Sequence, residues 1–287
     1  MRAQEEQNLW FPEWLIKLGN GELTNSQGFH EEIFEIPPGM ILPGHESFIE
    51  AIFGERLTPE MEHLYAERAI LCPKNKDCLE INSKVLNALP GNLVTFRSID
   101  TVEEDDPVQE ANFPTEFLNS LRVSGLPPHQ LSLKTGAVVI LLRNLNTRDG
   151  ICNGTRLIIR VLSENLITGK VLAGRAAGKV VFIPRMDLIP TDSDLPFRFC
   201  RRQFPVLTAF ALTINKAQGQ TFTRVGLFLP DPVFSHGQLY VAFSRVTSSN
   251  GIKVLITNKQ NEQGQMLIND PKRTFTRNIV FKEVFNS

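Results

Sequence analysis

Leu212-Thr213-Ile214-Asn215-Lys216-Ala217-Gln218-Gly219-Gln220-Thr221 and, about twenty residues later, Gln238-Leu239-Tyr240-Val241-Ala242-Phe243-Ser244-Arg245 decide how this chain is read. Each block follows or closes an apolar run. The first supplies a hydroxyl, a lysine, amides and a glycine, and the second ends an amphipathic, helix-like segment on one arginine. Thr213, Asn215 and Lys216 fall at the end of an apolar strand, where a parallel α/β sheet opens its ligand crevice. A hydroxyl, an amide and an ammonium at that place suit the phosphate oxygens of a strand or a nucleotide. Gln218 and Gly219 add a side-chain amide beside a residue that lets backbone approach closely. Taken alone, the first block also reads as an ordinary polar turn. Arg245 alone reads either as a cation facing a helix dipole or as an arginine finger on a γ-phosphate.

Working outward, the pattern around these blocks is strand 206–213, helical turn 215–220, strand 225–229, helix 235–246 and strand 252–257. Upstream, Ala69-Ile70-Leu71-Cys72 reads as a buried strand, Asp77–Leu89 as a helix with Leu79, Val85, Leu86 and Leu89 near one face, and Leu93–Phe96 as a strand. That order points to an α/β layer. Between them the character changes: 137–142, 155–162, 165–172 and 179–183 are short β-prone runs. Asn153-Gly154 reads as a type I′ hairpin turn, and Gly174 and Gly178 bracket another turn. Residues 115–202 are therefore expected as a small β-barrel carried as an insertion. Residues 1–60 read as helical and connecting, around Trp10–Leu18 and Phe48–Phe53, and the last 25 residues carry little signal.

The chain has 287 residues, enough for two domains. Its longest clear apolar run, Ala137–Leu142, is far short of the ~18 residues a membrane helix needs. Cys72, Cys78, Cys152 and Cys200 lack metal or disulfide spacing, so inert thiols in a reducing setting are expected. The acidic run Glu103–Asp106 reads as a solvated loop, because adjacent carboxylates cannot converge on one ion; no metal site is expected. The net charge of −1 hides an asymmetry. Residues 1–110 carry 8 Lys and Arg against 21 Asp and Glu, residues 111–202 carry 13 against 6, and residues 203–287 carry 9 against 4. Local positive charge of this kind permits nucleic-acid binding without establishing it.

Taken together and in this order, the two blocks resemble the fifth and sixth motifs of the petite-integration-frequency helicases, especially the relatives encoded by Helitron transposons. Pro205–Thr213 is similar to the run into the fifth motif, and Ser235–Arg245 to the sixth. Leu126–Gly136 and Asn144–Arg156 resemble that family's inserted Src-homology-three-like barrel, and Ala69–Asn75 with Asn82 resembles the opening of its second RecA-like domain. The resemblance implies a superfamily-one fold in these parts: a helical connector at 1–60, a discontinuous second RecA-like domain at 61–114 and 203–260, the barrel at 115–202 and a tail at 261–287. It implies that Thr213, Asn215 and Lys216 face single-stranded DNA, with Thr213 and Lys216 on its phosphates. It places Gln218 and Gly219 by the nucleotide and Arg245 as the arginine finger on its γ-phosphate. Asn215 stands where many of these helicases have histidine and marks the Helitron-type branch. Met1-Arg2-Ala3-Gln4 resembles a string that crosses into this half of the enzyme, which makes Arg2 a second phosphate-contacting arginine.

A helicase motor closes ATP between two RecA-like domains, and the first must supply a glycine-rich loop with lysine and a carboxylate for magnesium. The sequence contains no G-x-x-x-x-G-K-[ST] string and no Asp-Glu pair. It therefore reads as the C-terminal half of a helicase, which the resemblance implies moves 5′ to 3′, binding ATP and Mg²⁺ only together with the missing N-terminal half, in cis or in trans. Two other readings stay open: a non-enzymatic module that grips single-stranded DNA, and a transposon-derived fragment. Few stacking candidates stand out, because most phenylalanines lie in apolar runs and read as core. The nucleus is the expected location, with the mitochondrion open.

Overall fold

The computed structural model describes residues 10–25, 29–42, 47–102, 113–190, 195–257 and 273–281. In chain order these form α1 (Trp10–Asn20), β1 (Ile33–Ile36), α2 (Phe48–Phe53), α3 (Glu62–Glu67), β2 (Arg68–Cys72), α4 (Asn75–Ala88), β3 (Val94–Arg97), β4 (Ile99–Val102), α5 (Thr115–Ser120), β5 (Gln130–Leu133) and β6 (Val138–Leu141). They continue with β7 (Arg156–Leu162), β8 (Leu166–Val171), β9 (Val180–Pro184), β10 (Met186–Leu188), β11 (Phe199–Gln203), β12 (Val206–Thr208), β13 (Ala211–Thr213), β14 (Arg224–Leu229), α6 (Gln238–Phe243), β15 (Ile252–Ile256) and β16 (Thr274–Arg277). Two compact units result. One takes Met1–Arg56, Glu67–Lys84 and Phe210–Ser287, the other Leu57–Ala66 and Val85–Ala209.

The first unit is built on a parallel sheet in the order β13-β2-β14-β15. Its strands are near-continuous apolar runs, as a sheet covered on both faces requires: Ala69–Cys72 and Val225–Leu229 are buried throughout. Gly226 is demanded by packing, since a Cβ there would stand 2.7 Å from Ile52 Cγ1 and 2.8 Å from Phe48 Cζ of α2. The edge strand β13 is closed by a buried side chain: Asn82 of α4 donates to Ala211 O at 2.8 Å and accepts from Ala211 N at 2.8 Å. The buried stripe of α4 is Cys78, Ile81, Asn82, Val85 and Leu86, with Leu89 just past its end. Leu79, expected on that face, is exposed, because it lies one residue, about 100° around the helix, from the stripe.

The second unit is antiparallel. It holds a five-stranded sheet ordered β12-β6-β7-β8-β9, a three-stranded sheet β10-β11-β4 and the pair β3-β5. Val102, Leu118, Leu126, Leu188, Phe197 and Phe199 form one of its buried clusters. Beside them, Arg201 donates to both carboxylate oxygens of Asp100, at 2.9 and 2.7 Å, and to the carbonyls of Leu118, Leu121 and Pro127. Both side chains are sealed from solvent, and the multiple hydrogen bonds offset the cost of burying them.

Several expectations change. The run 206–213 is two strands, not one: Ala209 N bonds Val138 O in the second unit, whereas Phe210 O accepts from Ile70 N in the first. Both residues are fully buried, so the apolar pattern does not register the crossing. The compact units divide at 84/85 and 209/210. Asn153-Gly154 does not make a type I′ turn, which needs positive φ at both residues; only Gly154, at φ 90°, has it. Thr155 N bonds Cys152 O, and β6 and β7 pair across a longer loop. Gly174 and Gly178, with φ of 84° and 82°, do sit between paired β8 and β9. The helix expected over 235–246 is shorter, because Gly237 at φ 67° starts it. Within the segments expected to be a connector and a tail, β1 and β16 pair antiparallel, Ile33 opposite Arg277.

Candidate functional site

All four parallel strands of the first unit end on one edge, so the loops that follow them share a rim. Thr213 of β13 lies opposite Cys72 of β2, and Leu71 of β2 opposite Leu227 of β14. That register sets Pro73-Lys74-Asn75 beside Ile214-Asn215-Lys216 on one side and Pro230-Asp231 on the other. Thr213 is half-buried and opens a 3₁₀ turn, Ile214–Ala217, that its side chain does not cap. Ile214 and Ala217 are buried and anchor this turn, while Asn215, Lys216, Gln218 and Gly219 are exposed. Lys216 Nζ makes no hydrogen bond or ion pair among the described residues. Gly219 has φ 78° and open space where a Cβ would stand, so its glycine is required by backbone conformation alone.

Arg245 holds this turn. Its Nη1 donates to Gln220 O at 3.1 Å and Ala217 O at 3.4 Å, its Nε to Val241 O at 2.8 Å, and its Nη2 to Ser244 Oγ at 2.8 Å. The arginine of the second sequence block is therefore bonded to the backbone of the first. Four N–H groups are used, and one on Nη2 is left for a further acceptor among the described residues. The guanidinium is half-buried and makes no ion pair among the described residues; burial lowers its pKa, with Tyr240 a smaller opposing influence. It remains cationic throughout the ordinary pH range. Arg2 lies outside the described residues, as does the acidic run at 103–106.

The rim also carries groups that the sequence reading gave no role. Lys74 Nζ donates to Asp231 Oδ2 at 2.8 Å, with both side chains about a third exposed (38% and 34%). The hydrogen bond that it donates to the Asp231 carboxylate raises the lysine's pKa. Asp77, in the first turn of α4, is buried; desolvation raises its carboxyl, and its Oδ2 has no hydrogen-bond partner. Nothing in sequence spacing links Lys74 to Asp231. Two phenylalanines are also more exposed than apolar runs suggest: Phe234, between β14 and α6, and Phe182 on β9, at 59% and 63%. Phe182 is detectable in principle, since it occupies an outward position of an alternating strand.

The donor set at this edge (Thr213 hydroxyl, Asn215 and Gln218 amides, Lys216 ammonium, Arg245 guanidinium) fits anionic oxygens. It does not fit magnesium, which takes carboxylates and water, and no group of three or more His, Cys, Asp or Glu poised for a metal occurs among the described residues. Cys72, Cys78 and Cys200 are buried free thiols and Cys152 is half-buried. No helix among the described residues is long and apolar enough to cross a membrane.

Residues 116–162 match the family model described as the 2B domain of DNA helicase Pif1. The ATP-dependent DNA helicase Pif1 of Campylobacter jejuni is 27% identical over 253 residues, covering 86% of this chain and 54% of that protein. The human ATP-dependent DNA helicase PIF1 is 31% identical over 188 residues, 64% of this chain and 26% of that protein. Among solved structures, the Pif1 helicase from Candida albicans superposes with a TM-score of 0.54 at 22% identity, covering 88% of this chain and 53% of that one. Bacteroides Pif1 bound to single-stranded DNA gives 0.50 at 26% identity, covering 65% and 40%. The chain spans about half, or less, of the length of these relatives. The mixed α/β fold is that of the Pif1 helicases.

Proposed function

We propose, taking the chain's membership of the Pif1 helicase family as the premise, that it supplies the second RecA-like motor domain of an ATP-dependent 5′ to 3′ DNA helicase. In this reading it corresponds to the C-terminal portion of such an enzyme. The rim of the parallel sheet binds single-stranded DNA, Thr213 and Lys216 on backbone phosphates and Asn215 beside them. Gln218, Gly219 and Arg245 face the nucleotide, with Arg245 as the arginine finger. The observation that carries this reading is the bonding of Arg245 to Ala217 O and Gln220 O. One guanidinium thereby ties the nucleotide-facing block to the DNA-facing block, so a shift at one is felt at the other.

When bound, ATP with Mg²⁺ supplies the γ-phosphate whose developing charge such an arginine offsets. The residues here hold only the anion-facing side, and the loop with lysine and the magnesium carboxylate belong to the first motor domain. The inserted second unit is assigned as the Src-homology-three-like barrel, and Asn215 supports the Helitron-type branch. Arg2 is assigned as a second phosphate-contacting arginine, and nuclear location is proposed, with the mitochondrion as the other possibility.

A second reading, a binding module without a motor, is favoured by one observation. On the outward side of the five-stranded sheet, Val161, Thr168 and Phe182 lie in one row across β7, β8 and β9, and Phe182 is largely exposed. An aromatic in that setting can stack on a base. Fluorescence anisotropy with labelled oligothymidylate and steady-state ATP turnover separate the readings. The motor-domain assignment expects salt-sensitive DNA binding weakened by Lys216→Ala, with no turnover by this chain alone. Turnover that depends on Arg245, or binding that depends on Phe182 and not on Lys216, contradicts it.

A further inference from the structure

The rim holds two lysines in different electrostatic situations. Lys216 is exposed and unpaired among the described residues, whereas Lys74, on the adjacent loop, is held by Asp231 at 2.8 Å. These loops are neighbours by register, because Thr213 and Cys72 are partners in parallel strands and adjacent strands run ~5 Å apart. Lys74 is two residues past Cys72 and Lys216 three past Thr213, so both ammonium groups issue from the same sheet edge. Cations on two neighbouring loops of one sheet edge can each meet a phosphate of the same strand. Asp231 reaches Lys74 from the other side, from the loop after β14.

We infer that Lys74 is a further contact for the backbone phosphate of single-stranded DNA, and that Asp231 is an internal stand-in for that phosphate which weakens binding at this position. The inference rests on the single-strand reading of the rim. A carboxylate on Lys74 occupies the place that a phosphate oxygen takes, since both accept from the ammonium in a charge-assisted hydrogen bond. Binding then requires an exchange of partners rather than capture by a free cation. An exchange releases fewer counterions in total than capture, because the charge of Asp231 is then no longer offset by Lys74. Asp77 adds to the negative field on this side: it lies near Lys74 and Asp231, its carboxyl is buried, and one of its oxygens lacks a partner. The pair is exposed enough to break without unfolding the sheet, and exposed pairs of this kind are weak.

The test measures anisotropy of fluorescein-labelled oligothymidylate across a salt series, using the full chain, Asp231→Asn, Lys74→Ala, the double variant, and Lys216→Ala as a reference. Thermal melting by circular dichroism verifies that each is folded. Asp231→Asn is expected to tighten binding about two- to fivefold, the range for freeing an exposed ion pair. Its log–log salt slope should steepen by about 0.7, one single-strand phosphate contact. In the Lys74→Ala background, Asp231→Asn should change neither quantity. If it tightens binding equally without Lys74, the carboxylate acts only as general surface charge and the inference is overturned. If Lys216→Ala weakens binding while both Lys74 and Asp231 variants leave it unchanged, the inference alone fails and the rim assignment stands. Absence of binding by every chain, Asp231→Asn included, overturns both.

Discussion

The rim of the parallel sheet and the antiparallel unit differ in how their cations are held. In the antiparallel unit many cations are held internally, although Arg97, Arg122, Arg148 and Arg175 are exposed. Arg201 is sealed with Asp100, Arg160 and Lys170 share Glu62, Arg202 pairs with Asp187, and Lys179 pairs with Asp149. Arg185 bonds the carbonyls of Arg97 and Glu164 and lies over the Phe204 ring. The excess of 13 basic over 6 acidic residues in 111–202 therefore overstates what that segment offers to nucleic acid. At the rim of the parallel sheet the totals are smaller, yet Lys216 points its charge outward. What matters for a phosphate ligand is the number of cations without an internal partner, and net charge per segment does not report it.

The largest effect that sharpens this contrast is expected at the buried pair. Asp100→Ala leaves Arg201 uncompensated in a sealed site and should cost about 3–5 kcal/mol, read by urea denaturation. A cost below about 1 kcal/mol would mean that the antiparallel unit does not depend on its internal ion pair. Next, Arg245→Ala removes four hydrogen bonds, two of them to the carbonyls of Ala217 and Gln220 in the 217–220 turn. It should destabilise by about 1–3 kcal/mol and also weaken DNA binding, because the turn that presents Lys216 loosens. Unchanged stability would show that the arginine does not anchor the turn. Lys216→Ala reverses the pattern: stability within about 0.5 kcal/mol of the parent, and a salt slope for DNA shallower by about 0.7.

The smallest effect concerns pH. Burial raises the carboxyl of Asp77, so folding favours its protonated form. Its contribution is most favourable below the usual carboxylate range and is lost as pH rises through the raised folded value. Asp77→Asn should accordingly stabilise slightly at neutral pH, by under about 1 kcal/mol, with no gain in acid. Urea midpoints at the two pH values decide it, and a variant less stable at neutral pH than the parent would reverse the sign.

Much of the rim was legible because its chemistry is local in sequence. Thr213, Asn215 and Lys216 follow an apolar strand, and strand-then-polar-turn places donors at a sheet edge whatever the topology. Arg245 was legible as the end of a helical block, but its partners were not: carbonyls of Ala217 and Gln220 have no sequence signature. Lys74 and Asp231 stand 157 residues apart and meet only because β2 and β14 are sheet neighbours. The same holds for β1 and β16, whose pairing joins opposite parts of the chain. The split of 206–213 was hidden for another reason. Ala209, Phe210, Ala211 and Leu212 are all buried, so hydrophobic pattern stays continuous where the backbone changes sheets. Outward Phe182 reads as core from the apolar run alone, because residues in an antiparallel sheet alternate sides and one residue's shift decides between core and surface.

Hydrogen–deuterium exchange of the full chain, with and without oligothymidylate at low salt, tests the central claim most directly. Protection is expected at 213–220 and 73–75, the loops at one edge of the parallel sheet. Protection confined to 157–184, with those loops unchanged, would place the strand on the antiparallel sheet and contradict the account.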